Sequence, residues 1–520
     1  MLKDKNILCC LLFAAAGIFF SIFYFNFPIH DFGNYYFGSL FARQGVNIKD
    51  VYEPFQFNLL IRAEPGMHDA QFLQNYSVVP PFTLLFYWPL TFINVVPAKL
   101  VFNLISVLVF CFCLFRFLKH LEIKSSLVLL LPVILLIPFR NNILFGQAYL
   151  LLSGLLMTGF IAEKKNKNML AAICYSIAIV LKISPAILFL YLLAGKNYKT
   201  FLCTILFSGL LFLSAIPLTG WSFMQQYIFD YIPRMAVNEI NNPFATTYQS
   251  IAVLLRNLFI PDQLLNPTAM FNSTAAYVIF NGLFTGILFF FFVRQLWKNQ
   301  HPFFIFSFTL LSGLLLTAYT SSYSLVFLLP FCLESIEAKT KKTIPILILI
   351  FLACTIPVNS FQSFPLLMRF PRLYLLLILF FIICLEEKWK PAGRKWLTVS
   401  ISFFLALSFL FSSKVSSQSS YLLDHETSLL TVDYEFKGKE LKMKILDANG
   451  LQEKTIQLND SLESLQPLEL INNQVYFHGQ RTNTADHKRK PMLINNRTIV
   501  YLSDEGRGIG FYALRKITVN

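Results

Sequence analysis

The sequence predicts an all-α polytopic membrane protein of about 11–13 transmembrane helices, followed by a β-rich domain outside the membrane. Three observations lead there. Of 520 residues, 56% are hydrophobic and 14% charged, and the mean hydropathy is +0.58, a composition too apolar for soluble domains of this length. Lys and Arg outnumber Asp and Glu by 43 to 28, but the bases are gathered between apolar runs: EKKNK at 163–167, GKNYK at 195–199, EAKTKK at 337–342 and EEKWKPAGRK at 386–395. That is positive-inside topology, and it removes nucleic acid as the reason for the charge. Beyond about Ser413 the apolar runs stop and short alternating segments begin. The 57 phenylalanines and 22 tyrosines suit lipid-facing helices with aromatic belts at the interfaces.

The elements follow in order. MLKDKN precedes an apolar run from about Ile7 to Phe25, with no small-residue cleavage site after it, and reads as an uncleaved signal anchor. A long extracytoplasmic segment reaches roughly Pro80. Further spans are expected near 97–118, 125–139, 143–162, 199–219, 274–295, 302–320, 322–337, 343–359, 371–386 and 395–413. Residues 81–95 are apolar but short and carry Pro89, so they dip into the bilayer and return or cross it. Residues 169–194 have basic clusters at both ends, which a single crossing would put on opposite sides. A hairpin of two half-helices restores the charge rule and places Lys182 and Pro185 at its extracytoplasmic tip. The tail then offers LLTVDYEF, ELKMKILDA, NQVYFHG, RTIVYLS and GFYALRKITV between Gly, Asn and Asp turns, which read as strands. The expected domains are 1–413 in the membrane and 414–520 as a β-rich accessory domain. All nine cysteines lie in or beside apolar runs, so neither disulfides nor a thiolate metal site is expected.

Several polar residues are conspicuous against this background. Asp31 follows the first span in NFPIHDFGNYYFGSLFARQG, with Tyr35 four residues on along one helical face. The carboxylate reads either as a helix cap or as a catalytic base. Tyr52 stands in VYEP, ahead of the Pro-Pro stretch YSVVPPF that begins at Tyr76. PFRNNILFGQAYLLLSGLL carries Arg140 and Gln147; the arginine either snorkels to headgroups or meets an anionic partner. Lys182 lies amid apolar residues, where a lysine costs about 2.5–3.5 kcal/mol at a bilayer centre and so faces a wet cavity or a phosphate. The loop from 220 to 273 adds Arg234, Asn238, Asn241, Asn242, Tyr248, Gln249 and Arg256, a mixture of amides, aromatics and guanidiniums suited to sugar and phosphate recognition.

Taken in order, Asp31, the YY and VYEP segments, FGQAYLLLSGLL, AIVLKISPAILFLYLLAGKNYK and YQSIAVLLR resemble glycosyltransferase family 87 over roughly residues 7–335. The resemblance implies a GT-C-fold membrane enzyme, related to mannosyltransferases that use polyprenyl-phosphate sugars, in a bacterial inner membrane. It implies inverting transfer of a mannose-like hexose to an acceptor hydroxyl on a glycan or glycolipid, at the extracytoplasmic face; the seven histidines are scattered and no Asp-x-Asp lies in an outer loop, so no metal or other cofactor is expected, nor a nucleic-acid partner. Asp31 would be the general base. Lys182, Arg140, Gln147 and Arg234 would serve the donor phosphate, and Tyr35, Tyr52, Tyr248, Gln249 and Arg256 the substrates. The family often carries a Trp and a His at the start of a later span, whereas this chain has Ser322, Tyr323 and Ser324 there. The competing readings are a lipid-linked oligosaccharide polymerase or ligase, which would rely on late arginines such as Arg369 and Arg372 with a histidine, and a transporter or flippase, which would want repeated halves.

Overall fold

The computed structural model describes residues 4–67, 78–236, 242–262, 265–267, 269–298, 301–384, 392–411, 420–421, 430–447, 450–458, 465–468, 470–471, 474–477, 480–481, 488–495, 497–504 and 512–518. Tyr76, Asn238, Asn241 and the 386–391 part of the last basic cluster lie outside the described residues.

Among the described residues up to Phe411, the regular elements are helices, with one isolated bridge between Asp262 and Asn266. Among the described residues, four helices are long and apolar enough to cross a membrane: Lys5–Phe23, Val95–His120, Tyr198–Thr219 and Thr274–Lys298; a pair bent by 45°, Ser126–Ile134 with Leu136–Phe145, makes a fifth if it is one broken span. The 11–13 expected membrane helices therefore resolve into four or five full-length spans and a set of shorter apolar helices, among them Asn168–Leu181, Ser184–Ala194, Pro302–Leu316, Thr343–Thr355 and Pro371–Cys384. At 1.5 Å per residue a 13- to 15-residue helix is only about 20 Å long, less than the hydrocarbon core. Prolines and glycines set these lengths. Pro302 stands in the first turn of its helix, and Gly146 ends Leu136–Phe145 with φ +65°, splitting what reads in sequence as the span 143–162. Helix Thr274–Lys298 packs on Ala392–Phe411 through Gly282 and Gly286, where a Cβ would come within 2.8 Å of the Leu405 Cα and 2.7 Å of the Ile401 Cα. This is the small-residue contact by which helices associate in lipid.

The stretch 168–194 is a hairpin. Asn168, at its start, accepts a hydrogen bond from the Thr200 hydroxyl just past its end, at 3.2 Å. Midway along the legs, Tyr175 and Tyr191 both donate to the Glu163 carboxylate, at 3.1 and 3.0 Å. The basic residues on either side of the hairpin are thus at one end of the bundle, and Lys182 is at the other, after Leu181 closes the first leg. Residues 81–95 form a short helix, Pro81–Tyr87, and a 3₁₀ segment, Trp88–Phe92, before the long span begins. Thr83 donates to the Leu181 carbonyl at 3.4 Å, which sets this short helix against the hairpin tip.

The tail folds as antiparallel sheets. Strands Leu430–Lys437, Glu440–Asp447 and Gly450–Gln457 form a meander; a five-stranded sheet has the order Ser420–Tyr421, Ala513–Thr518, Thr498–Ser503, Lys488–Ile494, Leu465–Pro467; and three short strands lie between Leu470 and Arg481. Alternate residues Tyr434, Phe436, Leu441, Met443 and Ile445 of the meander bury against Val500, Leu502 and Leu514 of the larger sheet. That period of two is the pattern the sequence displays.

The sheets are bonded to the helical region. Arg234 forms ion pairs with Asp230 and Asp504, both at 2.7 Å, and the Asp504 side chain is fully buried. Arg489 lies 3.4 Å from the Glu53 carboxylate, which also accepts the Tyr512 hydroxyl at 3.4 Å.

Candidate active site

Asp31 is the first residue of helix Asp31–Arg43, outside the spanning segments. The capping position belongs to His30, which makes no side-chain cap bond. The Asp31 carboxylate instead accepts the Gln147 amide nitrogen at 2.6 Å. Gln147 is held from behind, because its amide oxygen accepts the Tyr35 hydroxyl at 2.8 Å. Tyr35 in turn stacks on Tyr87, with ring centroids 4.7 Å apart. Burial pushes the Tyr35 phenol well above its ordinary value, so its hydroxyl stays a donor.

Gly146 makes this meeting possible. The Gln147 N–H bonds to the Asn142 carbonyl at 2.8 Å and the Gly146 N–H to Ile143 at 3.2 Å, the paired bonds of a Schellman C-cap. A Cβ on Gly146 would stand 2.6 Å from the Cβ of Phe32. The residue is therefore glycine for two reasons, its left-handed backbone and the approach of the Asp31 helix.

Lys182 completes the cluster from the hairpin tip. Its ammonium lies 5.2 Å from the ring centroid of Tyr35 and 5.7 Å from that of Tyr149, within cation–π range of both. Asp31 and Lys182 keep part of their surface open while Tyr35, Gln147 and Tyr149 beneath them are buried. Desolvation raises the Asp31 carboxyl above its ordinary value; the Gln147 bond and the charges of Lys182, His30 and Lys99 pull it back. A carboxylate whose proton affinity is raised by burial, beside an ammonium, can take a proton and face an anion.

The remaining expected residues fall into two groups. Tyr248 is part-exposed, packs edge-on against Tyr319 at 5.8 Å and feels the Asp31 charge, which puts it on the site. Arg140 bonds Asn141 through Nε at 3.2 Å and Nη2 at 3.0 Å, both on the helix that leads to Gln147, and Asn141 donates to Ser322 at 2.7 Å. The others are scaffold. Tyr52 donates to the Val79 carbonyl at 2.8 Å and packs on Phe223 at 4.5 Å. Gln249 bridges the Thr246 and Arg369 carbonyls at 2.6 and 2.9 Å and accepts the Arg372 N–H at 3.1 Å. Arg256 lies over the Tyr277 ring at 5.2 Å. The Arg234 guanidinium is engaged by two carboxylates, so the structure accounts for it as an inter-region ion pair rather than a phosphate ligand.

Sequence reasoning passed over His30, Lys99, Tyr87, Tyr149 and Tyr323. Tyr149, two residues past Gln147, packs on Tyr323 at 5.3 Å, and the Tyr323 carbonyl accepts Asn142 at 2.9 Å. The stretch that lacks the expected histidine therefore does line the site, with a tyrosine.

Residues 78–322 match the model of glycosyltransferase family 87. Over this stretch the chain belongs to glycosyltransferase family 87. The protein is a multi-pass membrane glycosyltransferase, taking a sugar from a donor and passing it to an acceptor. No curated protein and no solved structure matches the chain. The matched stretch of the glycosyltransferase contains Arg140, Gln147, Lys182 and Tyr248, begins after Asp31 and Tyr35, and leaves the β-rich tail outside.

Proposed function

We propose that the protein transfers a hexose, mannose-like in class, from a polyprenyl-phosphate donor to a hydroxyl of a glycan or glycolipid, with inversion, at the extracytoplasmic face of a bacterial inner membrane. Asp31 is the general base. As the acceptor oxygen attacks the anomeric carbon, Asp31 takes its proton, the bond between the anomeric carbon and the phosphate oxygen breaks, and the lipid phosphate leaves with the electron pair. A phosphate is already a good leaving group, so its charge needs a cation more than an acid. Lys182 supplies that cation, and Arg140 is the second cation on offer to the phosphate. Gln147 and Tyr35 fix the direction of the carboxylate, and Tyr248 and Tyr149 offer aromatic walls to a sugar ring.

The observation that carries this reading is the Asp31–Gln147 contact at 2.6 Å beside the part-open Lys182 ammonium. The test is transfer of radiolabelled hexose from synthetic polyprenyl-phosphate sugars into a membrane lipid and glycan extract, wild type against Asp31→Asn. Product formed by wild type and lost in the variant supports the assignment; equal turnover by both removes Asp31 as base, and no transfer from any polyprenyl donor removes the donor class.

A further inference from the structure

The long span Val95–His120 sends two side chains, one turn apart, to the end of helix Leu136–Phe145. Asn103 donates to the Ile143 carbonyl at 3.0 Å. Lys99 donates to the Leu144 carbonyl at 2.7 Å and also to the Pro28 carbonyl at 3.1 Å. Lys99 is 4% exposed, and its ammonium lies 5.5 Å from the Phe27 ring centroid. A buried ammonium is costly unless its donors are met, and here two carbonyls and an aromatic face meet them. An ammonium at a helix C-terminus also complements the helix dipole.

A capping lysine would need Leu144 alone. Lys99 reaches further, and its two carbonyls are not an arbitrary pair: Pro28 is three residues before Asp31, and Leu144 is three residues before Gln147. Between Pro28 and Asp31 the backbone passes through His30 at φ 47° and ψ −134°. A non-glycine residue there costs about 1–3 kcal/mol and persists only where its surroundings impose it. The Lys99 bond to Pro28 is one such constraint, with the stacking of His30 on Phe27 at 5.1 Å and its edge contact with Phe145 at 5.3 Å.

We infer that Lys99 is a positioning residue for sugar transfer: one ammonium binds together the segments that carry Asp31 and Gln147. The inference rests on Asp31 being the base. The charged groups that act on Asp31 are Lys182 from the hairpin tip, His30 from its own segment and Lys99 from the long span, while the phenols of Tyr35, Tyr149, Tyr248 and Tyr323 face it and feel its charge. Gln147 contributes a neutral hydrogen bond. Lys99 is the cation that an incoming phosphate does not compete for, because both its carbonyl partners are protein.

The test compares full-length wild type, Lys99→Met, Lys99→Arg and Asn103→Leu in lipid nanodiscs. Lys99→Met is expected to lower kcat by about tenfold or more with KM changed far less, and to move the acidic limb of the pH profile to higher pH, since a lost cation favours the neutral carboxyl. Lys99→Arg keeps the limb in place. Asn103→Leu, which removes the neighbouring cap and no charge, lowers thermal stability and leaves the limb alone. If Lys99→Met and Asn103→Leu both lose stability with limbs unmoved, Lys99 is a helix cap and the inference fails. Infrared titration of the carboxyl band that Asp31→Asn abolishes supplies a readout independent of turnover. A higher midpoint in Lys99→Met sustains the inference even if no polyprenyl donor reacts, which would overturn the proposed function alone; an unchanged midpoint overturns the inference. Should Lys99→Met fail to fold, the same midpoint is read in Lys99→Gln.

Discussion

Gln147 gives its amide nitrogen to Asp31 at 2.6 Å and its amide oxygen to the Tyr35 hydroxyl at 2.8 Å. Each end of the amide has a partner of one polarity, so the group is fixed in one sense and cannot flip without breaking both bonds. The carboxylate is thereby aimed, and its other oxygen is left for substrate.

Asp31→Asn preserves the shape and the Gln147 contact but cannot accept a proton. Loss of a general base lowers kcat by about 10²–10⁴-fold. Radiolabelled transfer by equally expressed, folded proteins measures this.

Burial raises the Asp31 carboxyl, so transfer should rise with pH through a limb above the ordinary carboxylate range. The stability consequence has the opposite direction. A carboxyl whose folded value is raised favours folding in its protonated form, so its contribution is fully present below the unfolded value, about pH 4, and is lost as pH rises through the folded value. Asp31→Asn is therefore expected to raise the melting temperature at neutral pH and to leave it unchanged below about pH 4. Gln147→Glu sets a second carboxyl against Asp31 and moves the acidic limb further up.

Gly146→Ala meets both a left-handed backbone and a 2.6 Å approach to Phe32. It should destabilise by about 1–3 kcal/mol and lower kcat by displacing Gln147. Gly209→Ala is the control, since a Cβ there meets nothing within 4 Å, and alanine in a helix interior gains up to about 1 kcal/mol over glycine. Melting temperatures of the two variants should shift in opposite directions.

Lys182→Met removes the cation beside Asp31 and is expected to cost more in kcat than Arg140→Met, whose guanidinium is already turned to Asn141 at 3.0 Å. Equal losses would mean that the leaving phosphate sits nearer Arg140. Steady-state kinetics with a synthetic donor decide between them.

Asp504→Ala takes one carboxylate away from the buried Arg234 guanidinium. Removing one partner of a buried pair costs about 3–5 kcal/mol, whereas exchanging both for apolar residues costs much less. The double variant Arg234→Met with Asp504→Leu should recover most of the melting temperature lost in Asp504→Ala.

The hairpin was legible because charge contradicted hydropathy: bases at both ends of 169–194 cannot face one side after a single crossing. Asp31, Gln147 and Lys182 were legible as polar atoms that an apolar chain would not otherwise keep. Lys99 was not, since a lysine in the first turn of a long span looks like one reaching for headgroups, and its two carbonyl partners come from segments distant in sequence. The left-handed His30 leaves no mark in composition at all. Arg234, Gln249 and Arg256 show the converse. Polar residues in a loop read as binding groups until their partners are seen, and here those partners are carboxylates, carbonyls and rings within the protein. The lengths of the membrane helices were less legible than their number, because Gly146 and the prolines cut the apolar runs into four or five full-length candidate spans and a set of shorter apolar helices among the described residues.

The ion pair between Arg234 and Asp504 joins positions 270 residues apart, and Glu53 is bonded by Tyr512 across 459. A ribosome delivers the arginine and the glutamate long before their partners. Until the final strands emerge and fold, the segments around Glu53 and Arg234 lack the contacts that brace them, and through Tyr52 and Val79 so does the approach to the hairpin tip. The order of synthesis thus makes these ties the last to close, and the helical region is joined to its β-rich tail only when the final strands are in place.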